Sequence, residues 1–136
     1  MELKRLFEKK TTAGKPEHVD DAGFATEVLG SSIPVLVDFW APWCAPCRLV
    51  GGLLEEIGPQ YAGRMRIVKV NVDECGQIAA RYGITSIPTM ILFKNGKPVD
   101  QIVGALPLNP LKAWFERHLD PVTVDAGTQI AKKDRP

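Results

Sequence analysis

Two cysteines spaced Cys44-Ala45-Pro46-Cys47 are the residues best equipped to do chemistry in this chain of 136 residues. Ahead of them runs Val35-Leu36-Val37-Asp38-Phe39-Trp40, an apolar stretch that reads as a buried strand over about 34–40. Behind them Val50, Leu53, Leu54, Ile57 and Tyr61 recur at helical spacing. That predicts a helix over about 45–62 with one buried face, its far half interrupted by Gly58-Pro59. The pair therefore falls where a strand ends and a helix begins. The first N–H groups of a helix lack intrahelical partners and carry partial positive charge. A thiolate placed there is stabilised, so its pKa falls and more of the attacking species exists at neutral pH. Cys44, at the exposed first position, is the expected nucleophile. Cys47, one turn deeper, is close enough to close a disulfide and to resolve a mixed disulfide formed at Cys44. The competing chemistry is a zinc half-site, but zinc takes four ligands in a closed site. Beyond the pair only Cys75, His18 and His118 offer soft ligands, none at finger spacing, so no metal is expected.

The rest of the composition narrows the class. A chain of this length is one domain by size and buries about two-thirds of its unfolded surface. A net charge of +1 gives no case for a nucleic-acid partner. No apolar run approaches the ~20 residues a membrane helix needs, so no membrane partner is expected. The first ten residues are charged throughout and lack the apolar core of a secretory signal, which points to a cytoplasmic protein. Three cysteines in a reducing compartment favour redox catalysis or metal binding over a structural disulfide framework.

The elements that must position the pair follow in order. Residues 1–18 read as an N-terminal extension, with Leu3, Leu6 and Phe7 making one short apolar helical face. Pro16 leaves at most a short, weak edge strand before Val19. A helix starts after Asp20 or Asp21, either of which can cap it, and buries Phe24, Val28 and Leu29. Residues 65–73 alternate as a strand, a short helix covers about 75–81, and Met90-Ile91-Leu92-Phe93 is another strand. Asn95-Gly96 makes a tight hairpin turn to a return strand over Val99–Val103. Asn109 is placed as the cap of a last helix beginning at Pro110 and burying Leu111, Trp114, Phe115 and Leu119. Residues 120–136 read as a polar tail. The core domain is therefore placed at 19–119, an α/β fold with a central mixed β-sheet flanked by helices on both faces.

Trp40-Ala41-Pro42-Trp43-Cys44-Ala45-Pro46-Cys47, following Val37-Asp38-Phe39, resembles the active-site segment of bacterial-type thioredoxins. The resemblance spans about residues 20–119 and implies the thioredoxin fold. Three departures stand out: Ala45-Pro46 replaces the usual Gly-Pro, Gly52 the helix-kinking proline, and Ser86 a common glycine.

Several residues gain a role from that resemblance. A carboxylate inside a strand buried on both faces is expensive unless paired, and Asp38 stands in such a strand. The plain alternative is a strand-end acid that reaches a hydrogen bond or water. By resemblance Asp38 is the buried acid beneath the thiols, its pKa raised by desolvation, ready to take the Cys47 proton through a water. Lys69 matches the lysine beside that acid, the alternative being an edge or surface lysine. Pro88 matches a cis-proline lying against the cysteines, although few X-Pro bonds are cis. It would leave the Ile87 backbone free to pair with an extended substrate. Trp43, Pro46, Val72, Ile87, Val103, Gly104 and Ala105 match the apolar groove around the thiols, with ordinary core packing the alternative for Val72 and Val103. Trp40 is expected to support the loop. Asp73 would hydrogen-bond near Trp40 or cap the following helix. Cys75, at a helix start, has either a lowered thiol pKa or no role beyond partial exposure.

The implied activity is that of a protein-disulfide reductase and electron carrier cycling Cys44 and Cys47 between dithiol and disulfide. The implied partners are thioredoxin reductase, drawing electrons from NADPH, and disulfide-containing client proteins; a monomer is the expected state. No cofactor is expected, because the chain lacks a glycine-rich dinucleotide motif. Oxidant and isomerase relatives generally carry a histidine between the cysteines, which this chain lacks. The rival from another class is a binding or assembly module on the same fold, with non-essential thiols.

Overall fold

The computed structural model describes residues 13–121; the apolar face at Leu3, Leu6 and Phe7 and most of the polar tail lie outside them. The elements are β1 (Glu17–His18), α1 (Ala25–Leu29), β2 (Val35–Trp40), α2 (Ala45–Ile57), β3 (Arg66–Asn71), α3 (Gly76–Arg81), β4 (Thr89–Lys94), β5 (Lys97–Val103) and α4 (Leu108–His118). The strands form one mixed sheet in the order β1-β3-β2-β4-β5. β1 and β2 run parallel to β3, while β4 is antiparallel to β2 and β5 to β4.

Side-chain alternation along β2 decides which helix covers which face. Val35, Val37 and Phe39 pack with Phe24, Val28, Val68, Val70 and Ile78, under α1 and α3. Leu36 packs on the other face with Val50, Leu54 and Ile57 of α2 and Leu111, Trp114 and Phe115 of α4. Asp38 and Trp40 are in step with Leu36, so both belong to the α2 face. Fully burying Val50, Leu54 or Ile57 is worth about 1.5–3 kcal/mol each. That outweighs the roughly 1 kcal/mol each that Gly51 and Gly52 take from the helix relative to alanine.

Local signals set several boundaries. The edge strand is short, as Pro16 predicts: two residues pair with β3, and Val19 N donates to Lys69 O at 3.0 Å. It begins at Glu17, two residues before 19. Of the two aspartates offered as caps, Asp20 accepts from Gly23 N at 2.8 Å, while Asp21 accepts from Ile78 N of α3 at 3.1 Å. The α1 turn is wound wide, closing with Gly30 N on Ala25 O at 2.9 Å. Gly58-Pro59 ends α2 and continues the chain as a 3₁₀ turn over Gly58–Tyr61. Gly58 is a place where only glycine fits, since a Cβ would run into the Gly14 carbonyl. Asn95 (φ 52°) and Gly96 (φ 78°) make the tight hairpin, and β5 starts at Lys97, with Pro98 admitted beside a bulge on an edge strand.

The last helix begins earlier than Asn109 and Pro110 suggest. Pro107 occupies the cap position, Leu108 is the first helical residue, and Leu111 N donates to Pro107 O at 3.0 Å. Pro110 is thus the third helical residue. The first turn has no intrahelical use for its N–H groups, so proline is tolerated there and does not mark the first residue uniquely.

Candidate active site

Cys44 is the cap residue of α2, in extended conformation, and Pro46 is exposed in the first turn. The cap geometry places the Cys44 sulfur as acceptor of the Cys47 N–H at 3.2 Å. Cys44 and Cys47 are joined as a disulfide, their Cα atoms 5.2 Å apart. Neither sulfur-bearing residue projects freely: Cys44 is 6% exposed and Cys47 2%. The expectation of an exposed Cys44 is therefore corrected, because Ala41 beneath it is fully buried and Trp40, Val72 and Ile87 pack around the pair. Cys44 remains the more accessible of the two. The Arg48 guanidinium bonds back to the Pro42 carbonyl at 3.1 Å and braces the loop entering the helix.

Asp38 lies on the sheet face that α2 covers. It is fully buried, and neither carboxylate oxygen has a hydrogen-bond partner among the described residues. Desolvation pushes its pKa up to about 7, opposed by the positive charge of Lys69. Lys69 is the register partner of Asp38 on β3 and is half-buried. Its ammonium lies 4.1 Å from the centre of the Trp40 ring and would sit 3.5 Å from a Cβ placed on Gly51. A Cβ on Gly51 would therefore make only ordinary contact with the lysine, and nothing lies within 4 Å of a Cβ on Gly52. A surface position for Lys69 and a strand-end position for Asp38 are both overturned.

The Ile87–Pro88 bond is cis, and the Ile87 carbonyl oxygen lies 3.9 Å from the Cys44 sulfur. Gly104 (φ 96°) donates its N–H to the Pro88 carbonyl at 2.8 Å, which brings the end of β5 against this loop. Ile87 and Val72 are half-buried against the cysteines, while Val103 is 57% exposed and Ala105 is exposed. Core packing therefore accounts for part of Val72 and none of Val103. Ser86 is exposed, its carbonyl accepting from the Thr89 hydroxyl at 2.6 Å.

Two expectations change. Asp73 accepts from the indole N–H of Trp43, at 3.0 Å, instead of serving Trp40 or capping α3. That bond orients a ring that is 68% exposed beside Cys44. Thirty residues separate the partners, and no local signal announces the contact. Cys75 is buried, not partly exposed, its thiol donating to the Val19 carbonyl at 3.7 Å. Burial, then the negative charge of Asp21, raises its pKa, the reverse of a helix-start activation.

A redox-active cysteine pair at a helix N-terminus, over a neutralisable buried acid, defines a thiol–disulfide oxidoreductase. The comparisons agree. The thioredoxin family model matches residues 15–117. Thioredoxin 1 of Nostoc sp. is 54% identical over 101 residues, 74% of this chain and 94% of the cyanobacterial protein. The thioredoxin of Chlorobaculum thiosulfatiphilum is 50% identical over 107 residues, 79% of this chain and 99% of its own length. That of Haemophilus influenzae is 46% identical over 102 residues, 75% and 95% of the two chains. The chain belongs to the thioredoxin family, and its activity is dithiol–disulfide exchange. No helix among the described residues is long and apolar enough to cross a membrane.

Proposed function

We propose that the protein is a reductase of protein disulfides in which Cys44 attacks and Cys47 resolves. The Cys44 thiolate attacks one sulfur of a client disulfide. The client S–S bond breaks, a Cys44–client disulfide forms, and the first client sulfur leaves as a thiolate that takes a proton from solvent. Cys47 then loses its proton to the Asp38 carboxylate, through a water, and attacks the Cys44 sulfur. The second client thiol departs and the Cys44–Cys47 disulfide remains, so two electrons have moved to the client. Thioredoxin reductase, using NADPH, returns the pair to the dithiol.

The observation that carries this reading is the buried Asp38 carboxyl with its pKa near 7, on the sheet face that α2 and its cysteines cover. A base near the operating pH transfers protons in both directions at little cost. The positive charge of Lys69 opposes the rise and favours the ionised form of Asp38. Pro88 holds the Ile87 backbone beside the sulfur, and Trp43, Pro46, Val72, Ile87, Val103, Gly104 and Ala105 receive the client as an extended segment. The working form is a cytoplasmic monomer, with the catalytic domain at 19–119, an extension before it and a tail after it.

The test is insulin-disulfide reduction driven by NADPH and a bacterial thioredoxin reductase, wild type beside Cys44→Ser. Turnover present in the wild type and lost in the variant is expected. Turnover with dithiothreitol but none with the reductase would overturn the choice of electron donor alone. No turnover with either donor would overturn the catalytic reading.

A further inference from the structure

Four large apolar side chains among the described residues are strongly exposed: Trp43, Leu49, Val99 and Val103. Trp43 and Val103 belong to the proposed groove. Leu49, the most exposed at 70%, has no part in it. The buried face of α2 is formed by Cys47, Val50, Gly51, Leu54 and Ile57. At 100° per residue Leu49 points away from that face. It follows Ala45 and Pro46, four and three residues earlier, both exposed. Four residues later Leu53 is half-buried against the core. An apolar ridge thus starts at the disulfide and runs down the outer side of the helix.

Beside the ridge is a step. Gly52, three residues after Leu49, is exposed and has nothing within 4 Å of where a Cβ would stand. Alanine or proline there would fill the space and shield the flank of Leu49. The neighbouring charge is turned aside, because Arg48 bonds to the Pro42 carbonyl.

We propose that the Leu49 side chain, with the open step at Gly52, is a docking site for an apolar side chain of the client polypeptide bound to Cys44, and so helps determine which disulfides react. This rests on the reading of Cys44 as the nucleophile. Leu49 is five residues past Cys44, about 7.5 Å along the helix axis and about 140° around it, at 1.5 Å and 100° per residue. An extended client advances about 3.3 Å per residue, so a side chain three or four residues from the attacked cysteine reaches it. The mixed disulfide places a polypeptide within that distance, which is why the occupant is the client.

The probe is a short peptide whose single cysteine is disulfide-linked to 2-nitro-5-thiobenzoate. The Cys44 thiolate attacks the peptide sulfur, forms the peptide mixed disulfide, and releases the coloured thiolate as leaving group. Two peptides are compared, with leucine or serine at the third and fourth positions on either side of the cysteine. Partial burial of one leucine predicts that the wild type reacts about five-fold faster with the leucine peptide. In Leu49→Gln, which adds no charge near the thiolate, the ratio should fall to about one, and Leu49→Met should keep it. Rates with the small disulfide bis(2-hydroxyethyl) disulfide should stay within about two-fold in all three proteins, since its short polar arms offer no apolar side chain to residue 49. An equal leucine preference in wild type and Leu49→Gln, or none in either, would overturn the proposal. A parallel loss with the small disulfide would also overturn it, by showing that residue 49 acts on the thiols themselves. Release by Cys44→Ser as fast as by the wild type would instead overturn the nucleophile assignment.

Discussion

Replacing Asp38 with asparagine keeps the shape of a fully buried side chain and removes its titration. In the native protein this carboxyl holds its proton to about pH 7, against an ordinary value of 3.8. The folded state therefore binds a proton that the unfolded state has already released. Unfolding free energy falls as pH rises between those two values, and is flat in this group above them. A shift of about three units at 1.36 kcal/mol each amounts to roughly 4 kcal/mol lost by pH 8, of which about 3 kcal/mol lies between pH 5 and 9. Asp38→Asn should escape that loss. Its buried amide brings a cost of its own, but one that does not vary with pH. The assay is urea unfolding of the oxidised protein at pH 5, 6, 7, 8 and 9 at constant salt, reading wild type minus variant. Groups common to both proteins cancel in that difference. The variant should gain about 3 kcal/mol on the wild type across the series, most of it below pH 7.5. Parallel pH profiles would refute the reasoning, because they would mean that Asp38 is ionised in the native state at pH 5.

Other outcomes follow from the same geometry. Cys47→Ser should attack clients and stall, accumulating a Cys44–client disulfide that gel electrophoresis without reductant detects. Gly52→Ala should stabilise the protein by about 1 kcal/mol, since the site is helical and open. Gly58→Ala should destabilise it by about 2 kcal/mol or more, because the methyl group meets the Gly14 carbonyl; urea midpoints of the two variants read both effects. In the oxidised native protein Cys75 should resist iodoacetamide at pH 8 and react fully in guanidinium chloride, as a buried thiol with a raised pKa must.

Much of the site was legible because its signals are local. The change from an apolar run to helical spacing at Cys44 fixes where the thiols fall, and Asn95-Gly96 fixes a hairpin through its backbone angles alone. Periodicity correctly named Leu111, Trp114, Phe115 and Leu119 as a buried face. Asn109 and Pro110 placed the start of that helix too late, since proline is tolerated throughout a first turn.

By itself the sequence determined the reactive pair, its helix-start position and the alternation of strands and helices, all of which depend on residues within a turn or two of one another. Only the tertiary structure decided what those residues experience. Asp38 becomes a neutralisable acid because α2 and α4 remove water from that face, against the opposing charge of Lys69 that β3 brings into register. Cys75 loses the reactivity its helix start suggests because Val19, 56 residues away, covers it. Trp43 is oriented by Asp73, and the end of β5 lies against the cis-proline loop because Gly104 is bonded to Pro88. Dielectric environment and long-range contact are set by which distant segments pack together, and no short window of sequence contains that information.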